Sequence, residues 1–190
     1  KDVSYNWDKN DAEVEFLAII NNNVDGGFKV PDGCKKYADL IFEASETYKI
    51  PNPLLLLSIM IQENNCNVQD GKKGEIGLMQ ISKKTFDDIC KDKMNINFED
   101  LEREGSAKDN IECGTMILKN KYKEKFTFKK AEERETTSCK RDKDTIYYGW
   151  EAALRGYNGW GCGNDNYVEQ VMDRYKELSN INVPRSTAIN

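Results

Sequence analysis

The feature that most constrains the fold is a run of apolar residues in the first third of the chain. Leu54 to Ile61 is interrupted only by Ser58, and the helix that it predicts, Leu54 to Glu63, is apolar on almost every side. Such a helix is typical of the buried centre of a globular domain, so we expect other helices to surround it. Pro53 stands just before the run, and proline is favoured in the first turn of a helix. The run is far too short to span a bilayer.

Apolar residues at helical spacing and helix-ending signals predict six further helices. They are Asp11–Asn21, Tyr37–Tyr48, Lys83–Lys91, Ala107–Lys123, Tyr148–Tyr157 and Asn166–Leu178. No succession of strands is predicted, and the glycine-rich stretch favours at most a small β-hairpin or loop near residues 70–80. We therefore expect an all-α fold. Residues 1–33 would form a helical extension packed on the domain at 34–190, and the charge-dense insertion at 123–144 would be a solvated surface excursion.

The chain of 190 residues contains no histidine. This excludes Ser-His-Asp triads, Cys-His nucleophiles and zinc sites of the HExxH type. Any chemistry must therefore use carboxylates, amides, hydroxyls, tyrosine or lysine. The formal net charge of -5 and the pI near 5.0 disfavour nucleic-acid binding. We expect no metal, no cofactor and no nucleic-acid partner.

Six cysteines are spread along the chain: Cys34, Cys66, Cys90, Cys113, Cys139 and Cys162. Neighbours are 23 to 32 residues apart, which does not fit the close spacing of a zinc knuckle or a redox CxxC motif. An even number of well-separated cysteines indicates three disulfides formed in an oxidising compartment. The spacing does not choose among the possible pairings. Lys1 opens directly into polar sequence, and we interpret the chain as the mature form of an exported protein whose leader has been removed.

Glu63, at the end of the apolar helix, is a candidate acid–base catalyst. Ile59 and Met60 lie one turn before it, on or beside its face. A carboxyl group held against apolar side chains loses hydration of its charged form, which raises its pKa towards the range useful to a general acid. Cys66 follows closely, so a disulfide could hold the chain where it leaves the helix. The alternative interpretation is a solvated glutamate at a frayed helix end.

Two further clusters combine glycines with polar or aromatic side chains. In the first, residues 74–82, Gly74 and Gly77 bracket a turn, and Gln80 offers a donor and an acceptor to a polar substrate such as an N-acetyl sugar. In the second, residues 150–161, a helix ending at Tyr157 and Asn158 presents a phenol and an amide. Each cluster is also compatible with simple core packing, so neither alone indicates a function.

Taken together, these clusters resemble the catalytic domain shared by soluble lytic transglycosylases and goose-type lysozymes. The resemblance runs from about Tyr37 to Tyr175 and rests on ordered motifs. They are the helix ending in Glu63, the GLMQ sequence at Gly77–Gln80 fourteen residues later, the Asn-Ile-x-x-Gly segment Asn110–Gly114, the Tyr-Asn-Gly element at Gly156–Gly159, and the pair Tyr167-Val168. The resemblance implies a lysozyme-like helical catalytic domain over residues 34–190.

The resemblance also implies an activity, the cleavage of the β-1,4 bond between N-acetylmuramic acid and N-acetylglucosamine, with Glu63 as acid and base. In the transglycosylase branch one glutamate suffices. It protonates the leaving oxygen and then, as a carboxylate, takes the proton of the muramoyl 6-hydroxyl, which gives a 1,6-anhydro product. The substrate's own acetamido group can steady the positive charge at the anomeric carbon. The resemblance places Gln80 and Ser82 in the substrate groove and Tyr157 beside the reacting sugar, with Asn158 supporting that site. Glu75 is a further candidate for substrate binding.

Departures from the transglycosylase pattern leave alternatives open. Asn64 stands where serine usually follows the catalytic glutamate, and Gly163 stands where an acidic residue usually precedes the Tyr-Val pair. Asp70 and Glu75 lie between Glu63 and the GLMQ sequence, as acidic residues do in goose-type lysozymes, so either is a candidate second carboxylate. Inverting hydrolysis needs that carboxylate roughly 6.5–9.5 Å away. The alternatives are a muramidase-like hydrolase, a chitin-directed enzyme and a non-catalytic glycan-binding protein on the same fold.

For the cell biology, we expect a secreted monomer whose partner is the glycan strand of peptidoglycan, or else a chitin oligomer. A nucleic-acid or membrane partner is not expected.

Overall fold

A computed structural model describes residues 9–21, 28–68, 70–102, 105–127, 146–160 and 166–180. Within these residues the chain is mostly helical, with one small two-stranded sheet, which confirms the all-α prediction. The α-helices are α1 (Lys9–Asn21), α2 (Asp32–Lys35), α3 (Ala38–Thr47), α4 (Pro53–Asn64), α5 (Lys83–Ile89), α6 (Lys91–Met94), α7 (Ala107–Lys121), α8 (Gly149–Tyr157) and α9 (Tyr167–Ser179). A short 3₁₀ helix, Phe98–Glu102, precedes α7.

Helix α4 is the centre of the fold, as its apolar sequence predicts. Every residue from Leu54 to Ile61 is buried, Ser58 included, and the Ser58 hydroxyl donates to the Leu54 carbonyl at 2.6 Å. The helix begins where the Asn52 side chain accepts a hydrogen bond from the Leu54 amide at 2.9 Å, with Pro53 in the first turn. Helices α3 and α9 pack against it. Each buried leucine or isoleucine stabilises the fold by about 1.5–3 kcal/mol, so this helix is the main contributor to the core.

The N-terminal part of the described chain packs on the same core. Helix α1 contacts α2 and α3, and the rings of Phe16 and Phe42 stack with their centroids 6.3 Å apart. Phe16, Ile19 and Ile20 are all fully buried. The division into an extension and a main domain stays a prediction, but α1 and α3 share one hydrophobic core.

Two disulfides lie within the described residues. Cys34 is bonded to Cys66, which joins α2 to the segment directly after α4, and Cys90 is bonded to Cys113, which joins α5 to α7. These pairings confirm that disulfides fasten the fold. Cys139 and Cys162 lie outside the described residues.

A small sheet lies where two helices were predicted to extend. Strand β1 (Lys123–Thr127) pairs antiparallel with β2 (Ile146–Tyr148). The predicted helix Ala107–Lys123 therefore ends at Lys121, and the helix predicted from Tyr148 begins at Gly149, because Lys123 and Gly149 bridge to each other. Apart from the first strand, the insertion at 123–144 lies outside the described residues.

Residues 70–82 form a loop closed by one bridge between Ile76 and Ile81, which agrees with the loop or hairpin predicted near residues 70–80. The helix predicted at Lys83–Lys91 is interrupted at Cys90 and continues as α6. In the described part of the chain no helix combines the length and the apolar character needed to cross a bilayer.

Candidate active site

A cleft of about 510 Å³ opens beside the C-terminal end of α4. Its walls come from α4, the loop at 71–82, the C-terminal part of α7 and the end of α8. The residues that line it are Glu63, Gly71, Lys72, Lys73, Glu75, Gln80, Ile81, Ser82, Thr85, Ile117, Lys121, Gly156, Tyr157, Asn158, Gly159 and Trp160. The structure thus brings together six of the residues that the sequence analysis assigned to a groove: Glu63, Glu75, Gln80, Ser82, Tyr157 and Asn158.

Glu63 is partly buried at the cleft wall, two residues after Ile61, the last buried residue of α4. The buried Tyr167 hydroxyl, from α9, donates a hydrogen bond to Glu63 Oε1 at 2.5 Å. Burial raises the pKa of Glu63 from 4.5 to about 7. The Tyr167 hydrogen bond opposes that rise by stabilising the carboxylate, and the negative charge of Glu75 adds to it. A carboxyl group with this pKa can donate or accept a proton near neutral pH.

The segment that follows Glu63 is fastened by the end of the helix itself. The Asn65 amide donates to the Ile61 carbonyl at 3.0 Å and the Cys66 amide to the Met60 carbonyl at 3.3 Å, with Asn65 and Cys66 both at positive φ. The Asn64 side chain donates to the Asn67 carbonyl at 2.7 Å. Asn64, the departure from the family's serine, therefore holds the turn together. The frayed-end interpretation does not describe this helix terminus.

Of the two candidate second carboxylates, only Glu75 lines the cleft. A Cβ on Gly71 would lie 2.5 Å from both Gln80 Oε1 and Glu75 Oε2, so these two side chains lie close together over the glycine. The Lys73 backbone amide also donates to Glu75 Oε2 at 3.2 Å. Asp70 is exposed and is not among the residues that line the cleft.

The GLMQ sequence is held in place from α7 by Asn110, which is almost fully buried. The Met79 amide donates to Asn110 Oδ1 at 2.9 Å, and Asn110 Nδ2 donates to the Ile76 carbonyl at 3.1 Å. Gly77, at a φ of 77°, lies so close to the Asn110 amide that a Cβ would overlap it. A Cβ on Gly114 would overlap Met79 in the same way. The Asn-Ile-x-x-Gly segment is therefore the support of this loop.

Gln80 and Ser82 come directly after the part of the loop that Asn110 holds in place. Gln80 takes the left-handed conformation at a φ of 49°, and its Nε2 donates to the Gly77 carbonyl at 2.9 Å. Ser82 caps the N-terminus of α5, since the Thr85 amide donates to its hydroxyl oxygen at 3.3 Å. Both side chains still line the cleft, so the groove and the start of α5 are built by the same residues.

The end of α8 forms the wall that faces the loop. The Tyr157 hydroxyl donates to the Met79 carbonyl at 2.7 Å and so ties α8 to the GLMQ loop. Burial and the nearby Glu63 charge raise the pKa of Tyr157 well above its ordinary value. Tyr157 therefore acts as a neutral phenol. Asn158 ends the helix and lines the cleft beside Gly159.

Several lining residues were not found by sequence reasoning. Trp160 packs against Gly156, where a Cβ would overlap its indole ring. The sequence signal for Trp160 is its place in the glycine-rich cluster at 150–161. Tyr167 is not one of the lining residues; the sequence marks it only as half of the Tyr-Val motif, and no local pattern indicates its bond to Glu63 across 104 positions of the chain. Lys72, Lys73 and Lys121 belong to none of the sequence motifs.

A second cavity, of about 250 Å³, lies at the opposite end of α4. Phe16, Phe42, Ile50 and neighbouring residues line it, and among the described residues of this lining Glu46 is the only titratable side chain. In the described segments, no group of three or more cysteine or carboxylate side chains is arranged to hold a metal ion.

Comparison with known proteins agrees with this geometry. The family model described as the transglycosylase SLT domain matches residues 39–180, a range that contains every residue of the cleft. A search of curated proteins found no match to the chain. The family has a lysozyme-like fold, and its members include lytic transglycosylases, which cleave the glycan strands of peptidoglycan. Since the match covers most of the sequence, the chain belongs to the transglycosylase SLT domain family.

Proposed function

We propose that the protein is an exported lytic transglycosylase that cuts the β-1,4 bond between N-acetylmuramic acid and N-acetylglucosamine, with Glu63 as its single acid and base. The observation that carries the proposal is a carboxyl group with a pKa of about 7 in a cleft of about 510 Å³. The membership in the transglycosylase family supports the choice of substrate. The two disulfides support export, because such bonds persist in oxidising compartments.

The proposed reaction has two proton transfers at one carboxyl group. Tyr167 donates to Oε1 of Glu63, so the proton to be transferred is carried on Oε2. In the first step this proton passes to the glycosidic oxygen as the C1–O bond breaks and the N-acetylglucosamine end leaves. In the second step the Glu63 carboxylate takes the proton of the muramoyl 6-hydroxyl while its oxygen bonds to C1. Glu63 is again protonated, and the product carries a 1,6-anhydro ring.

Glu75 supports a second candidate function, a muramidase-like hydrolase. It lines the cleft, and its charge acts on Glu63. In that reaction Glu75 would activate a water molecule, and the product would carry a reducing end. Asp70 is not proposed for this role because it does not line the cleft.

The products decide between these functions. Purified peptidoglycan and chitin oligomers are digested in parallel, and the released fragments are analysed by mass spectrometry. Muropeptides with 1,6-anhydro ends, and no cleavage of chitin, are expected. Reducing ends would instead establish the hydrolase, and chitin fragments would establish a chitin-directed enzyme. Retention on the insoluble glycan without any soluble product would contradict both enzymatic functions and favour a binding protein.

A further inference from the structure

The cavity at the N-terminal end of α4 combines apolar walls with a buried side-chain amide. Helices α1 and α3 supply the rings of Phe16 and Phe42, and Ile50 and Leu54 add to the apolar lining. Asn52 lines the same space and is only 4% exposed. The residues that line the catalytic cleft, at the other end of the helix, are a separate set. The cavity is therefore a feature of the fold that the proposed reaction does not use.

The side chain of Asn52 uses only one of its two polar atoms within the described protein. Its Oδ1 accepts a hydrogen bond from the Leu54 amide at 2.9 Å, and its backbone carbonyl accepts one from the Leu55 amide at 3.0 Å. Since Pro53 has no amide hydrogen, these bonds occupy the backbone donors at the start of α4. Among the described residues, none accepts a hydrogen bond from Asn52 Nδ2. A nearly buried donor of this kind costs free energy unless a molecule in the cavity accepts its hydrogen bond.

Water alone would fill this cavity poorly. A water molecule can accept the hydrogen bond from Nδ2, but the aromatic and aliphatic side chains around it would stay hydrated. An apolar cavity of about 150 Å³ already holds one benzene molecule, and this cavity has a volume of about 250 Å³. It therefore has room for one substituted ring or a short branched chain.

The charge at the opening of the cavity disfavours an anionic ligand. Glu46, on α3, lines the cavity and is exposed, so its carboxylate lies on the solvent side. The described part of the lining contains neither lysine nor arginine, and a buried anion without a partner is costly. A neutral acceptor such as a carbonyl oxygen suits both the Nδ2 donor and the negative charge of Glu46.

We propose that this cavity binds a small neutral molecule that has an apolar ring or branched chain and one carbonyl oxygen. The carbonyl oxygen accepts the hydrogen bond of Asn52 Nδ2, and the apolar part packs against Phe16 and Phe42. Sites for small molecules commonly have this composition, with mostly apolar walls and a few polar groups that fix the orientation. The site is separate from the catalytic cleft, so it does not depend on the proposed function.

The test uses two probes of similar shape. Acetophenone carries a carbonyl group on its ring, whereas ethylbenzene has no acceptor. Each is titrated into the full chain at neutral pH, and binding is followed by the NMR shifts of the backbone amides. Shifts at Asn52 and Leu54 would place a probe in this cavity, whereas shifts at Glu63 and Gln80 would place it in the catalytic cleft. Benzoate, an anion of similar size, should not displace acetophenone.

The measured quantity is the ratio of the acetophenone affinity to the ethylbenzene affinity. Asn52→Asp keeps the oxygen that caps α4 but loses the amide donor. Because the difference in hydration between the probes cancels when the ratio is compared between proteins, the variant should lower it by a factor of roughly 2 to 12, the contribution of one hydrogen bond. Ala12→Leu, at the wall of the cavity, should abolish the binding of both probes. Val14→Leu, exposed on the same helix, should leave both affinities unchanged.

Urea unfolding first establishes that each variant is folded. The inference would be overturned if neither probe bound the folded parent up to its solubility limit, or if the shifts were confined to the catalytic cleft. An unchanged ratio in Asn52→Asp, undiminished binding in Ala12→Leu, or displacement of acetophenone by benzoate would also overturn it. Failure of the parent to cleave peptidoglycan would contradict the proposed function alone, because the binding of the probes is measured without substrate.

Discussion

At the residue scale, two neighbours act on the Glu63 carboxyl group in opposite directions. Burial is the largest influence and raises its pKa, the hydrogen bond from Tyr167 lowers it, and the charge of Glu75 raises it again. Tyr167 is itself held neutral, because burial and the nearby Glu63 charge raise its pKa well above the ordinary value. It is therefore always able to donate its proton to a hydrogen bond. Tyr167 is a positioning residue in this account, and Glu63 is the catalytic one.

The pH dependence of activity should separate these influences. Since Glu63 must be protonated to start the reaction, kcat/KM of the parent should fall as the pH rises through about 7. Tyr167→Phe removes the bond that favours the carboxylate, so this fall should move to higher pH. Glu75→Gln removes the charge that disfavours the carboxylate, so the fall should move to lower pH. The profiles are measured on soluble glycan oligomers under identical salt conditions.

Shifts in the same direction for the two variants would contradict this description of Glu63. Complete loss of activity in Glu75→Gln, with the fold intact, would assign Glu75 a direct part in the reaction and favour hydrolysis.

Glu63 should also make the folded protein less stable at high pH. A carboxyl group whose pKa rises from 4.5 in the unfolded chain to about 7 in the fold binds more protons when folded, so stability falls as the pH rises between these values. The full loss corresponds to at most about 3 kcal/mol, and less where solvent screens the partly exposed group. Glu63→Gln should therefore be more stable than the parent at pH 8 but not at pH 4, as measured by urea unfolding. Glu169→Gln, an exposed change on α9, is the control, and an equal effect of Glu63→Gln at both pH values would be inconsistent with a raised pKa.

At the scale of elements, the long apolar helix and its neighbours were predictable because their apolar positions recur at helical spacing. The C-terminal end of α7 and the N-terminal end of α8 were not predictable. They depend on the pairing between Lys125 and Tyr148, strand positions that lie far apart in the sequence. Local pattern carries no information on such a pairing. The disulfide partners were unpredictable for the same reason. Cys34 and Cys66 meet because α2 lies beside the segment that follows α4.

The disulfide between Cys34 and Cys66 should matter for both stability and activity. It closes a stretch with a sequence separation of 32 and lies three residues beyond Glu63. Replacing both cysteines by alanine should lower the free energy of unfolding by roughly 3–4 kcal/mol, because the bond no longer restricts the conformations of the unfolded chain. Activity per folded molecule should also fall, because the segment after Glu63 is released.

The other disulfide provides the matched control. Cys90→Ala/Cys113→Ala opens a comparable stretch, with a sequence separation of 23, so its loss of stability should be similar, but it does not hold the end of α4. If both double variants retain the same activity when fully folded, the bond at Cys66 does not position Glu63.

At the scale of the whole molecule, the cleft is made by segments that only the fold brings together. Glu63 on α4, the loop carrying Gln80 and the end of α8 are separate in sequence but meet at one opening. Their assignment to a common groove was possible because the ordered motifs resemble a known family. The resemblance did not extend to the lysines or to Trp160, since these are not part of its motifs. Side chains that adapt a shared site to one substrate are identified only in the assembled cleft, because the local sequence does not indicate them.

The most direct test of the central claim is the rate at which purified peptidoglycan releases soluble fragments with the parent and with Glu63→Gln. Glutamine keeps the size of the side chain and can still accept the Tyr167 hydrogen bond, but it cannot donate the proton. Unfolding measurements on both proteins confirm that the fold is retained. The account predicts a fall in rate of roughly 100- to 10,000-fold. Release at the parental rate by a folded Glu63→Gln protein would contradict it.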